Sequence, residues 1–294
     1  PASGLASSVI VTNAPGANNW VFRLFGADYI TLDKLTINNT NLGGNQDVVV
    51  VGGNSDNCSI TNCIINISGP NGTGIMQNFS TDYNLLIKGN TINNGYQAMW
   101  IVSQTGPRAC QVKILNNTCL NQSFTGIYFA YQDTSICSGN TVISNASGNF
   151  TGIKYDAPLR SSTMTWNKII MSNASQGYGI MIYSFNQSGS TTERGLVANN
   201  TVSINGVGSS ALRGFNLEGN SNFTDFYHNS VLMTTTNTQA TALYISSGQS
   251  STNNVRNNIF QNIGNGLAAE TWSGMTVNYN NYFTRGTVYG KFNN

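Results

Sequence analysis

Met164-Thr165-Trp166-Asn167-Lys168-Ile169-Ile170-Met171, with Gly179-Ile180-Met181-Ile182 soon after it, carries the two patterns that decide the fold. In the first, an apolar residue is followed three positions later by Asn, then five and usually seven positions later by further apolar residues. Toward the N-terminus it reads Cys137–Asn140–Val142, Ile114–Asn117–Cys119 and Ile87–Asn90–Ile92. Toward the C-terminus it reads Val197–Asn200–Val202–Ile204, Phe226–Asn229–Val231–Met233, Val255–Asn258–Phe260 and Val277–Asn280–Tyr282. Two earlier copies, Ile30–Asp33–Leu35–Ile37 and Ile60–Cys63–Ile65–Ile67, put Asp33 and Cys63 in the Asn slot. The mean step over ten copies is about 27 residues.

The second pattern is a small residue leading alternating apolar positions: Gly126-Ile127-Tyr128-Phe129, Gly152-Ile153-Lys154-Tyr155, Gly214-Phe215-Asn216-Leu217, Ala242-Leu243-Tyr244-Ile245 and Gly266-Leu267-Ala268-Ala269. Alternation with period two is the mark of a strand with one inward face. Each unit therefore holds a strand, a bend at the Asn, a second strand, a loop and a third strand. So short a unit can bury its apolar faces only against its neighbours. Stacked parallel strands lie about 4.8 Å apart and align equivalent residues in columns. A lone buried Asn is costly, but a column of them satisfies its own members. The spacing thus predicts an all-β, right-handed parallel β-helix of about ten coils. Its internal Asn ladder runs through Asn90, Asn117, Asn140, Asn167, Asn200, Asn229, Asn258 and Asn280. No break interrupts the repeat, so residues 1–294 read as a single β-helix domain.

Composition agrees. Only 8% of residues are charged, yet 39% are hydrophobic and 10% aromatic, which supplies a core and argues against disorder. Polarity comes largely from 45 Asn and from Ser and Thr; the 31 Gly and the Asn suit turns, whereas helical repeats want Ala, Leu, Glu and Lys. A Leu-x-x-Leu-x-Leu pattern is absent. The net charge of +2 without a basic cluster excludes a nucleic-acid footprint. Apolar runs such as Val48 to Val51 are too short for membrane insertion. Five cysteines at no metal-ligand spacing are expected to fill the core as small apolar side chains, with a Cys110–Cys137 bridge between coils as the alternative. Without an initiator Met, a signal peptide or obvious end caps, the sequence reads as an excerpt of a longer chain.

The Asn-x-apolar bends (Asn90-Thr91-Ile92, Asn140-Thr141-Val142, Asn200-Thr201-Val202) and the Gly-led strands resemble the pectate-lyase-like superfamily of parallel β-helices. The stretch from Ala27 to Ile37 resembles coils of large secreted bacterial surface proteins and adhesins. The resemblance implies an extracellular or cell-surface location. It also implies a polysaccharide or cell-surface glycan, or neighbouring segments of the same fibre, as partner. Superfamily members include lyases, glycosidases, tailspikes and non-catalytic shafts, so fold alone does not choose an activity.

Catalytic signatures are sparse. There is no Asp-Asp pair, and the eight Asp and three Glu are scattered singly, so no metal site is expected. Ca2+ would enter only with a lyase, since it needs six to eight oxygen ligands. His228, beside Asn229, reads as a turn or packing residue. If Ile153, Tyr155, Ile180 and Ile182 face inward, two outward columns follow. One holds Met76, Trp100, Tyr128, Lys154, Met181, Asn216 and Tyr244; the other holds Asn78, Val102, Ala130, Asp156, Tyr183, Glu218 and Ser246. Aromatic faces beside polar groups suit sugar rings. Trp100, Tyr128, Tyr183 and Tyr244 are the glycan-binding candidates. Lys154, Asp156, Tyr183 and Glu218 are the candidates for catalysis; Asp156 and Glu218, two coils apart, stand near the upper limit for an inverting pair. The expectation is a non-catalytic shaft or adhesin segment with a glycan-binding face, a polysaccharide lyase or glycoside hydrolase being the alternative.

Overall fold

Gly89, Asn116, Gly139, Trp166, Asn199, His228, Asn257 and Tyr279, each one residue before a ladder Asn, all adopt a positive φ between 53° and 68°. This is the left-handed region, which Asn and Gly enter at least cost. One such residue turns the chain between two strands, and the Asn that follows closes the turn. His228 is therefore a turn residue. The computed structural model describes residues 3–13, 19–43, 46–106, 109–206, 210–247, 252–271 and 275–292. Among them the strands form three large parallel sheets of 11, 11 and 10 strands, in which each strand pairs with its counterparts one coil before and one coil after. One coil runs Thr163–Thr165, the Asn167 bend, Lys168–Met171 in the first sheet, Gln176–Tyr183 in the second, and Gly195–Ala198 back in the third. The chain is a parallel β-helix. No helix among the described residues is long and apolar enough to cross a membrane.

The ladder is continuous. The backbone N–H of Asn117 donates to Asn140 Oδ1 at 3.0 Å, that of Asn140 to Asn167 Oδ1 at 3.0 Å, and that of Asn167 to Asn200 Oδ1 at 3.0 Å. The same oxygens accept from the side-chain amides of the preceding coil, as Asn140 Oδ1 does from Asn117 Nδ2 at 3.0 Å. Each amide also donates to a backbone carbonyl one coil back, for example Asn140 Nδ2 to Ile114 O at 2.9 Å. Asn229, Asn258 and Asn280 extend the series, and it starts where the Cys63 N–H donates to Asn90 Oδ1 at 2.9 Å.

The first coil departs from the expected alignment. Asp33 pairs with Thr61 and not with Cys63, so the ladder slot there falls on Leu35, with Lys34 as the left-handed residue before it. Asp33 instead stands outside the tube, where its Oδ1 accepts from Thr61 Oγ1 at 2.7 Å and Asn62 Nδ2 at 2.9 Å. Those hydrogen bonds, from Asn62 first, hold its carboxyl below the ordinary range.

Inside the tube, stacked columns of Ile, Val, Leu and Phe are wholly buried, and Phe129, Tyr155 and Phe185 pack ring against ring at 4.6 and 4.9 Å. Cys58, Cys63, Cys119 and Cys137 are free, buried thiols that fill core positions. The alternative Cys110–Cys137 bridge is therefore not formed; the Cys110 side chain itself lies outside what is described. Burial pushes the Cys137 thiol up to about 12 and that of Cys119 higher still. Because the thiolate is the reactive species, both should resist alkylation in the folded protein and react only after denaturation. Mass spectrometry after an iodoacetamide pulse reads this; rapid labelling of either in the native state would show that the tube opens there.

Candidate functional site

The outward face of the second sheet has the register expected from sequence. Met76, Trp100, Tyr128, Lys154, Met181, Asn216 and Tyr244 are successive strand partners. Asn78, Val102, Ala130, Asp156, Tyr183 and Glu218 form the parallel row two residues on. A third row, Asp47, Thr73, Gln97, Thr125, Thr151, Tyr178 and Arg213, runs three residues earlier. The small column lies between the third row and the first. A Cβ on Gly152 would stand 2.5 Å from both Gly179 O and Ile169 Cγ2, so nothing larger than hydrogen fits there without displacement. Consequently two consecutive residues, Gly152 and Ile153, face inward, and Thr151 and Lys154 flank them on the outside.

Those two flanking rows line one cavity of about 310 Å³, with Gln97, Trp100, Thr125, Tyr128, Thr151 and Lys154 along its length. An adjoining cavity of about 250 Å³ shares Gln97 and Trp100 and continues past Thr73 to Asp47. Together they make a groove along the helix axis over six strands, about 24 Å at the parallel strand spacing. Tyr96 and Phe124 form part of its wall, with ring centroids 4.5 Å apart and planes 5° from parallel. Trp100 meets Tyr128 edge to face at 4.5 Å, and its Nε1 is buried without an acceptor. The indole therefore contributes apolar surface and not a hydrogen bond.

The sequence matches no protein-family model and no curated protein. Among solved structures the chain is similar to the Dettilon tailspike protein (gp208), at 15% identity and a TM-score of 0.49 over 93% of this chain. It is also similar to the A-module of the Azotobacter vinelandii mannuronan C-5 epimerase AlgE6, at 12% identity and a TM-score of 0.45 over 90% of this chain. It spans 56% of the tailspike chain and 81% of the epimerase module. The likeness is one of fold alone.

The charged candidates are tied to one another. Lys154 Nζ lies 3.6 Å from Asp156 Oδ2 and 4.6 Å from the centre of the Tyr128 ring. The Tyr128 hydroxyl donates to the same carboxylate oxygen at 3.3 Å, and burial together with that negative neighbour pushes the phenol well above its usual range. Glu218 stands two coils from Asp156, as expected, but accepts from Arg213 Nη1 at 3.1 Å. Both carboxylates of the supposed inverting pair are thus held by cations. Tyr183 is 42% exposed and lies outside the larger cavity, as do Asp156, Glu218 and Tyr244. The Arg213 guanidinium sits 3.4 Å from the Tyr244 ring centre and covers one of its faces. Of the four aromatic candidates, the structure brings Trp100 and Tyr128 into the groove and leaves the other two beyond it. Sequence reasoning missed Gln97, Tyr96, Phe124, Asn149, Thr151 and Tyr178. The row holding Gln97, Thr151 and Tyr178 was accessible as the residues just before the small column, whereas the wall rings gave no signal of their own.

A second charged cluster has a structural role. Arg194 holds Asp225 through two hydrogen bonds of 2.8 and 2.5 Å and reaches on to Thr252 O at 3.1 Å, fastening two later coils. Burial alone would raise the Asp225 carboxyl, but the bonds from Arg194, Asn254 and Tyr227 outweigh it and hold it below the ordinary value of 3.8. A depressed carboxyl stabilises the fold above its unfolded pKa and loses that contribution as pH falls through its folded value. Acid unfolding curves should therefore steepen below about pH 4, and Asp225→Asn should flatten that limb while lowering stability at neutral pH. Superimposable acid limbs would assign the slope to other carboxylates.

Proposed function

We propose that this chain is a β-helical segment of an extracellular or cell-surface protein that binds a polysaccharide in the second-sheet groove without cleaving it. The observation that carries this reading is the groove itself. It runs along the axis, and its aromatic residues (Trp100, Tyr128, Phe124, Tyr96, Tyr178) lie beside Gln97, Thr125, Asn149 and Thr151. Sugar rings offer both apolar C–H faces and hydroxyls, and such a lining meets both. Against catalysis stands the pairing of Lys154 with Asp156 and of Arg213 with Glu218, which engages three of the four candidate groups, Lys154, Asp156 and Glu218. General acid–base catalysis needs a group within reach of the reacting atoms and titrating near the working pH.

A glycan array combined with a turnover screen tests the proposal. Turnover is read as ultraviolet absorbance of unsaturated products and as new reducing ends. Retention without product is expected. Turnover that disappears in Lys154→Ala or Asp156→Ala would replace binding by a lyase or hydrolase activity, and no retention on any glycan would leave the groove without this role.

A further inference from the structure

We infer that the groove selects uncharged polysaccharides over polyuronates; this rests on the binding role proposed above. Among the described residues, the lining of the two cavities contains two charged side chains, Lys154 and Asp47. A cation that recognises a carboxylate must be free to turn toward it. Lys154 is instead drawn back along its own strand face by Asp156 and lies over the Tyr128 ring. Among the described residues, the two linings together with Asp156 beside Lys154 hold one cation and two carboxylates.

Asp47 reinforces this at the other end. Burial pushes its carboxyl up, and in its ionised form it would repel further negative charge brought beside it. In the next coil past Met181, Arg213 is spent on Glu218, Asn216 and the Tyr244 ring. A polyuronate lying along the axis would present a carboxylate at nearly every sugar. It would meet Asp47 and Asp156 with no uncommitted cation among the described lining residues, and like charges set against each other across an interface oppose binding. A neutral chain loses nothing on these terms. Its hydroxyls find Gln97, Thr125, Asn149 and Thr151, and its ring faces find Trp100 and Tyr128.

The test is calorimetric titration of the intact chain, at low and high salt, with neutral β-1,4-linked hexasaccharides of glucose and mannose and with hexagalacturonate and hexamannuronate. A neutral ligand should bind at least about tenfold more tightly than either uronate. Its affinity should be insensitive to salt, since no charge pair forms. Asp156→Asn, which frees Lys154, should then improve uronate binding about fivefold at low salt and leave neutral binding within about twofold. Asp47→Asn gives a second, independent variant with the same direction of change. Uronate binding as tight as neutral binding, weakening with salt, would overturn the selectivity while leaving the groove a glycan site. Failure of every hexasaccharide to bind would overturn both.

Discussion

Replacing Asn140 by Leu should lower the unfolding free energy by about 3–5 kcal/mol, although the two side chains differ little in size. The amide of Asn140 makes four hydrogen bonds to nitrogen and oxygen groups at once. Its oxygen accepts from the Asn117 backbone N–H and the Asn117 amide, each at 3.0 Å. Its nitrogen donates to Ile114 O at 2.9 Å and to Asn167 Oδ1 at 3.0 Å. Leu would leave a backbone N–H, a backbone C=O and one amide hydrogen buried without partners, each worth about 1–3 kcal/mol. The apolar gain of a Leu offsets only part of this, because the site is shaped for a planar amide between two others. The control is Asn66→Leu. Asn66 belongs to an outer row, donating to Asn38 Oδ1 at 2.8 Å and accepting from Asn93 Nδ2 at 2.8 Å, where water can replace each lost partner. Its loss should cost less than about 1 kcal/mol. Guanidinium unfolding midpoints of the two variants measure the contrast. Equal shifts would mean that the inner ladder adds no more than an ordinary surface amide.

How much was legible follows from the same distinction. The inner Asn column could be read because one residue type solves one local problem, the tight bend after a left-handed residue, once in every coil. Where that solution is absent the reading slipped: in the first coil Asp33 looked like the nearest polar stand-in, while the chain turns at Lys34 and puts Leu35 in the slot. The two outward columns of the second sheet were legible because period-two alternation ties inward to outward residues without reference to loops. Pairing of Lys154 with Asp156 was also there to be read, since residues i and i+2 on a strand share a face.

The groove wall was not legible. Phe124 and Phe150 occupy the same phase of the repeat, yet Phe150 is wholly buried in the core while Phe124 stacks on Tyr96 at the surface. That difference arises in the loops before the strands, whose lengths vary and whose paths obey no repeat. Arg213 covering Tyr244 is likewise a matter of side-chain reach across coils, which a column of letters does not encode.

Trp100→Ala should weaken binding of whichever glycan the groove retains by about 30-fold, equivalent to about 2 kcal/mol. Trp100 is the one aromatic residue that lines both cavities, so a chain lying along the axis must cross it. A tryptophan offers the largest rigid apolar face of any side chain, and central, well-packed aromatics carry most of the energy at such surfaces. Because its Nε1 has no acceptor, Trp100→Phe should retain most of the affinity, losing only a few-fold through reduced contact area. Tyr128→Ala should also weaken binding, and through two routes: it removes a stacking face and releases the Lys154–Asp156 pair from the ring that backs it. Tyr244→Ala is the informative negative, since Arg213 already covers that ring and it lies outside the larger cavity. The ordering Trp100→Ala, then Trp100→Phe, then an unaffected Tyr244→Ala distinguishes a groove floored by stacking from one held by hydrogen bonds. Affinities unchanged in both Trp100→Ala and Tyr128→Ala, in proteins shown by circular dichroism to remain folded, would place any glycan on another face of the solenoid.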